Sequence, residues 1–181
     1  MFRRRIQRAL RRMGNIDASH TVQQANQLMA SGDYIGAASA FKELAQIAED
    51  RFPQRAPVLF MEAGHAAILG GQTKVGVAHF RHGLTLFASQ GRIHRMRAFG
   101  RRAIEELNTQ NLTSEADEIT NLLSGNMPKE APGEYPTVRR RPTLPTHCPS
   151  CGAAVRPTEI DWLDEFTAEC DYCGSPVRGN S

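Results

Sequence analysis

Apolar residues recur at helical spacing over the first two thirds of the chain and lose that spacing in the last third. Phe2, Ile6, Ala9, Leu10 and Met13 form one stripe of a helix over residues 1–15. Arg3, Arg4, Arg5, Arg8, Arg11 and Arg12 occupy the rest of its surface, and Gly14-Asn15 closes it. Residues 16–124 predict six helices in three hairpins. The clearest stretch runs Ala25, Leu28, Gly32-Asp33-Tyr34, Ala37, Phe41, Leu44. Gly32 stops one helix there and Asp33 caps the next. A third hairpin is expected over about 92–108 and 113–123, its second helix starting at Thr113 or Ser114. Beyond it, residues 125–146 hold Pro128, Pro132, Pro136, Pro142 and Pro145, with Arg139, Arg140 and Arg141 among them. Such a segment reads as an extended tether. Residues 147–181 remain as a small separate unit.

The first hairpin has a weaker copy 39 residues on, where Gly71 answers Gly32 and Phe80 answers Phe41. Gly64, Ala67 and Leu84 fit the same packing, while Thr73 and Gly76 stand for Tyr34 and Ala37. The extra length falls in the loop Phe52-Pro53-Gln54-Arg55-Ala56-Pro57. This pattern resembles the tetratricopeptide repeat (TPR), a 34-residue helix–turn–helix unit whose small residues let paired helices approach. The resemblance implies a mainly α fold, a TPR-like stack of three helical hairpins over residues 16–124, with a concave face for partners. That face would carry Val22, Asn26, Met29, Met61, His65 and Ile68, with Arg95 or Arg102 adding charge at one end. The segment bound there would be an amphipathic helix or an extended stretch with some acid; alternatively the groove is filled internally by residues 1–15 or by the linker.

All four cysteines lie in the C-terminal unit as two copies of one pattern, Cys148-Pro-Ser-Cys151-Gly152 and Cys170-Asp-Tyr-Cys173-Gly174. Two thiolates two residues apart hold one ion from inside a tight turn, and the following glycine permits the positive φ of such a turn. The 18 intervening residues fit a single four-cysteine site, and so small a unit needs a staple. The pattern resembles zinc ribbons, small β units with a CPxCG-type knuckle at each hairpin tip. One structural zinc on Cys148, Cys151, Cys170 and Cys173 is implied, with rubredoxin-type iron as the alternative. Disulfides are disfavoured, because no secretory signal is read. His147 reads as a solvated turn residue. Trp162 and Phe166 supply a mini-core or an exposed anchor.

Charge changes the picture in one respect. The formal balance is +3, but six of the 22 bases fall within residues 3–12. Between 143 and 181, Glu159, Asp161, Asp164, Glu165, Glu169 and Asp171 face only Arg156 and Arg178. An acidic ribbon is poorly suited to phosphate backbones. It is instead a candidate to dock on the basic helix carrying Arg92, His94, Arg95, Arg97, Arg101 and Arg102. The N-terminal arginines suit an anionic membrane surface through residues 1–13, an acidic protein groove, RNA, or targeting.

No run of 18 apolar residues, phosphate-binding glycine loop, nucleophile elbow or HExxH pattern occurs. The chain therefore reads as a non-enzymatic adaptor or assembly scaffold with protein partners. It is expected in the cytoplasm, peripheral at the membrane face if the arginine helix anchors it. The alternative is a nucleic-acid- or ribosome-associated protein using the arginine clusters. The tether is expected to leave the ribbon independent of the helices.

Overall fold

A computed structural model describes residues 19–126, 142–157, 160–163 and 166–179. The expected N-terminal helix with Arg3, Arg4, Arg5, Arg8, Arg11 and Arg12, and the arginines of the tether, lie outside the described residues. The described part is mainly helical, with a small antiparallel sheet near the C-terminus. Helix α1 covers residues 19–31. It is followed by α2 (Tyr34–Arg51), α3 (Ala56–Leu69), α4 (Thr73–Ser89), α5 (Ile93–Thr109) and α6 (Thr113–Gly125). The third hairpin, expected over about 92–108 and 113–123, is met within two residues. Thr113 opens α6 from inside it, because Leu112 holds the cap position.

One turn is used four times. A residue at positive φ (Gly32, Gly71, Gly91 or Asn111) ends the preceding helix. Its N–H bonds the carbonyl three residues back, and the next N–H reaches five back, as in Asn111 N to Asn108 O and Leu112 N to Leu107 O. These bonds satisfy carbonyls that a helix end would otherwise leave open. Asp33 then caps α2, its Oδ1 accepting from Gly36 N at 2.9 Å. The α2–α3 connection is different: Phe52 N bonds Ala48 O, and the chain passes through Pro53 and Gln54 before α3 starts.

Helix α3 explains how the rest is arranged. Eleven of its 14 residues are buried, with Glu62, His65 and Leu69 the exceptions. A helix apolar on all sides must be covered on all sides. Helices α2 and α4 flank it, and α5 touches it. The α3–α4 approach is close: a Cβ at Gly64 would lie 2.5 Å from Phe80 Cδ1, and one at Gly76 would lie 2.7 Å from Ile68 Cδ1. Helix α5 buries Met96, Phe99, Ala103 and Leu107 along one stripe and packs on α6. Leu28 and Met29 of α1 rest against Ala37, Ala38, Ala66 and Ala67.

The C-terminal unit forms a three-stranded antiparallel sheet ordered β1-β2-β3: β1 (Asp161–Trp162), β2 (Thr167–Glu169) and β3 (Pro176–Arg178). Trp162 pairs with Ala168, and Ala168 with Val177. A bridge between His147 and Ala154 closes a further hairpin. The expectation of an independent ribbon is corrected. Its buried residues join those of the helices in one continuous core, and Arg55 and Arg95 pair with its Glu169 and Asp171.

Candidate metal centre

The two cysteine pairs sit in near-identical knuckles. Cys148 N bonds Ala153 O and Gly152 N bonds Cys148 O; Cys170 N bonds Ser175 O and Gly174 N bonds Cys170 O. Gly152 and Gly174 share a φ of 73°. Each knuckle turns its two sulfurs to the same side, and the two knuckles face each other. The Cys148–Cys173 and Cys151–Cys170 sulfurs are both 3.8 Å apart. All four lie within 4.8 Å of one another. A tetrahedral ion with metal–sulfur bonds of about 2.3 Å places its sulfurs roughly 3.8 Å apart. Bonded sulfurs would be about 2 Å apart, and the four cysteines are free. The group can coordinate one metal ion.

Their electrostatics fit a cation. Hydrogen bonds with Cys151 and Cys170 bring the Cys148 thiol down to about 6. Those with Cys148 and Cys151 pull Cys173 far below the thiol range. Contacts led by Cys148 push Cys151 and Cys170 up. Four clustered sulfurs cannot all ionise without positive charge between them.

The second knuckle is also the ribbon's foothold on the helices. Arg55, between α2 and α3, donates to Cys173 O at 3.1 Å and pairs with Glu169 at 3.0 Å. Arg95 of α5 pairs with Asp171 at 2.7 Å. Tyr172 OH donates to Glu62 of α3 at 2.8 Å. Burial and the neighbouring Glu62 carboxylate push the Tyr172 phenol well up, so it stays a donor. From α1, Asn26 donates to Cys151 O at 3.1 Å.

These contacts bear on the face expected to hold a partner. Val22, Met61 and Ile68 are buried, each with 5 % exposure or less, and Met29 is half-buried between α1 and its neighbours. Asn26 and Arg95 bond the ribbon. Six of the eight expected groove residues are thus taken up: Asn26 and Arg95 by the ribbon, and Met29, Met61 and Ile68 with Val22 by packing within the chain's own core. His65 and Arg102 remain at the edge of a cavity of about 230 Å³, with Glu106 and the ribbon's Arg156 beside them. His65 Nδ1 lies 2.6 Å from Glu106 Oε1. That hydrogen bond, opposed by burial, raises the imidazole pKa. Arg102 stacks over Phe99 at 4.2 Å. His79 and His82 contact the Phe60 ring, and His82 reaches Glu49.

Of the two ribbon aromatics, Trp162 packs on the core while Phe166 is 54 % exposed beside exposed Leu163. His147 is exposed, as expected, with Thr146 at hydrogen-bond distance. Sequence reading missed Arg55, Glu62, Glu106 and Tyr172, while the acidic ribbon docking on the basic helix is met by Arg95 with Asp171. The one available signal was the contrast between Asp-Tyr inside the second CxxC and Pro-Ser inside the first. Among the described residues, no helix is long and apolar enough to cross a membrane. No protein-family model, curated protein or solved structure matches this chain.

Proposed function

We propose that this chain is a non-enzymatic protein–protein interaction adaptor, a TPR-like helical scaffold carrying a zinc ribbon with one structural zinc. The observation that carries the reading is the closed sulfur cage. All four cysteines are at most 2 % exposed, so four thiolates complete a tetrahedral shell with no position left for substrate. The matched backbone bonds of the two knuckles support the ribbon assignment, and the repeated helix–turn–helix joints support the TPR-like one. Zinc suits such a cage because it imposes no redox chemistry on the fold; iron there would give a coloured electron carrier.

The partner surface of this adaptor is the seam between helices and ribbon, where His65, Arg102 and Arg156 border the cavity. Its lining carries two guanidiniums and two carboxylates, and since Tyr172 and His65 engage Glu62 and Glu106, the guanidiniums suit an acidic segment of a partner protein. The arginine-rich residues 1–13 would add peripheral contact with an anionic membrane surface, at the cytoplasmic face. Nucleic acid is the less favoured partner, since the ribbon carries an acidic surplus.

The test is affinity purification of the full chain from its host, followed by mass spectrometry. It is repeated with Arg102→Glu plus Arg156→Glu and with residues 1–14 removed. The adaptor reading expects a defined set of proteins lost with the charge reversals. Retention of every partner in the reversed variant would sink the seam as the binding surface. Nucleic acid in their place would favour the ribosome-associated alternative.

A further inference from the structure

The bonds that hold the ribbon on the helices end on the metal knuckles themselves. Arg55 and Asn26 donate to the carbonyls of two of the four cysteines, Cys173 and Cys151. Asp171 and Tyr172, which meet Arg95 and Glu62, are the two residues enclosed between Cys170 and Cys173. Glu169, which pairs with Arg55, stands one residue before Cys170. The geometry that docks is thus the geometry the ion imposes.

We propose that the metal centre is the latch of an intramolecular plug. Ion binding at the four cysteines seats the ribbon on the face formed by Asn26, Arg55, Glu62 and Arg95; ion loss lifts it off and uncovers that face. The inference rests on the metal reading above and adds a coupling to it.

Three physical arguments support the latch. First, the ribbon has little else to fold it: its strands are two or three residues long, and a unit this small depends on its staple. Without an ion, the Cys173 carbonyl, the Asp171 carboxylate and the Tyr172 hydroxyl have no fixed spacing to match Arg55, Arg95 and Glu62. Second, the docked state is conditional. Arg55 and Arg95 are 7 % and 5 % exposed, and buried cations are tolerated only with carboxylates opposite. Third, the open state strands no charge. Lifting the ribbon returns both guanidiniums, Glu62, Glu169 and Asp171 to water; what it costs is the apolar surface of the shared core, and ion binding is the term that offsets it.

Coupling is reciprocal: if the ion promotes docking, docking must tighten the ion by the same factor. This gives a test on the full chain. Zinc affinity is measured by competition with a chromophoric chelator. Amide hydrogen exchange is followed at residues 55–62 and 92–99. Arg55→Met leaves the ribbon sequence intact. Gly174→Ala and Gly152→Ala impose the same positive-φ strain at equivalent knuckle positions. A Cβ at 174 would run into the Arg55 guanidinium, whereas one at 152 meets nothing within 4 Å.

Chelation of the wild type should speed exchange in both segments. Arg55→Met should still bind one zinc but roughly tenfold more weakly, within the usual range of coupling. Gly174→Ala should fall below Gly152→Ala by a similar factor, and its exchange should resemble that of the chelated protein. Exchange unchanged by chelation, or wild-type zinc affinity in Arg55→Met, overturns the latch while leaving the zinc assignment standing. A chain that binds no zinc overturns both.

Discussion

Replacing Gly64 with alanine tests the helix packing that supports the whole assembly, because two opposing effects can be weighed there. Alanine is the better helix former by about 1 kcal/mol, and Gly64 lies within α3. Taken alone, that would stabilise. The added Cβ, however, would lie 2.5 and 2.7 Å from Phe80 ring carbons and 3.0 Å from Gly76 O. Phe80 is 1 % exposed and has nowhere to turn, and the Gly76 carbonyl belongs to the backbone of α4. Overpacking of this kind costs about 1–3 kcal/mol. With backbone on one side and a buried ring on the other, the upper part of that range applies. The net expectation is a loss of about 1–2 kcal/mol. Gly125→Ala is the control, since a Cβ there meets nothing within 4 Å. The assay is urea unfolding followed by helical circular dichroism. Gly64→Ala as stable as the wild type, or more so, would refute the close α3–α4 approach.

The remaining predictions concern single groups. His65 has its pKa raised in the folded chain by the hydrogen bond to Glu106, so the pair's contribution is full below the ordinary imidazole value of about 6.5. It is lost as pH rises through the raised value. Urea unfolding should therefore show stability declining as pH rises above the ordinary imidazole value, and Glu106→Gln should flatten that slope. Asp33→Ala should cost about 1 kcal/mol by removing the α2 cap, read from the same unfolding curves. Asn111 has a φ of 59° in the fourth helix joint, so Asn111→Ala should destabilise by roughly 1 kcal/mol while Asn111→Gly should not.

What the sequence made legible follows from how local each cause is. The helix joints at Gly32 and Gly71, the Asp33 cap and the paired CxxC turns depend on a few adjacent residues, and each formed as its residues dictate. The joint at Asn111 was less visible because asparagine enters the left-handed region without announcing it as glycine does. The docked ribbon was hardest to read. Its contacts join Arg55 to Glu169 and Arg95 to Asp171, more than seventy residues apart in the chain. Charge asymmetry pointed to an acidic ribbon against a basic helix, and Arg95 with Asp171 realises that pairing. Nothing in the Pro-flanked loop marked Arg55 as the residue that would reach a cysteine carbonyl. The face expected as a groove shows a related limit: TPR-like spacing identifies a face but not what packs on it, and Asn26 and Arg95 there bond the ribbon.

Native mass spectrometry of the full chain, wild type and Cys170→Ser, is the most direct test of the metal centre. One zinc per wild-type chain, and none or weakly held metal in the variant, is the predicted result. A metal-free wild type, iron in place of zinc, or a mass lowered by disulfide formation would contradict it.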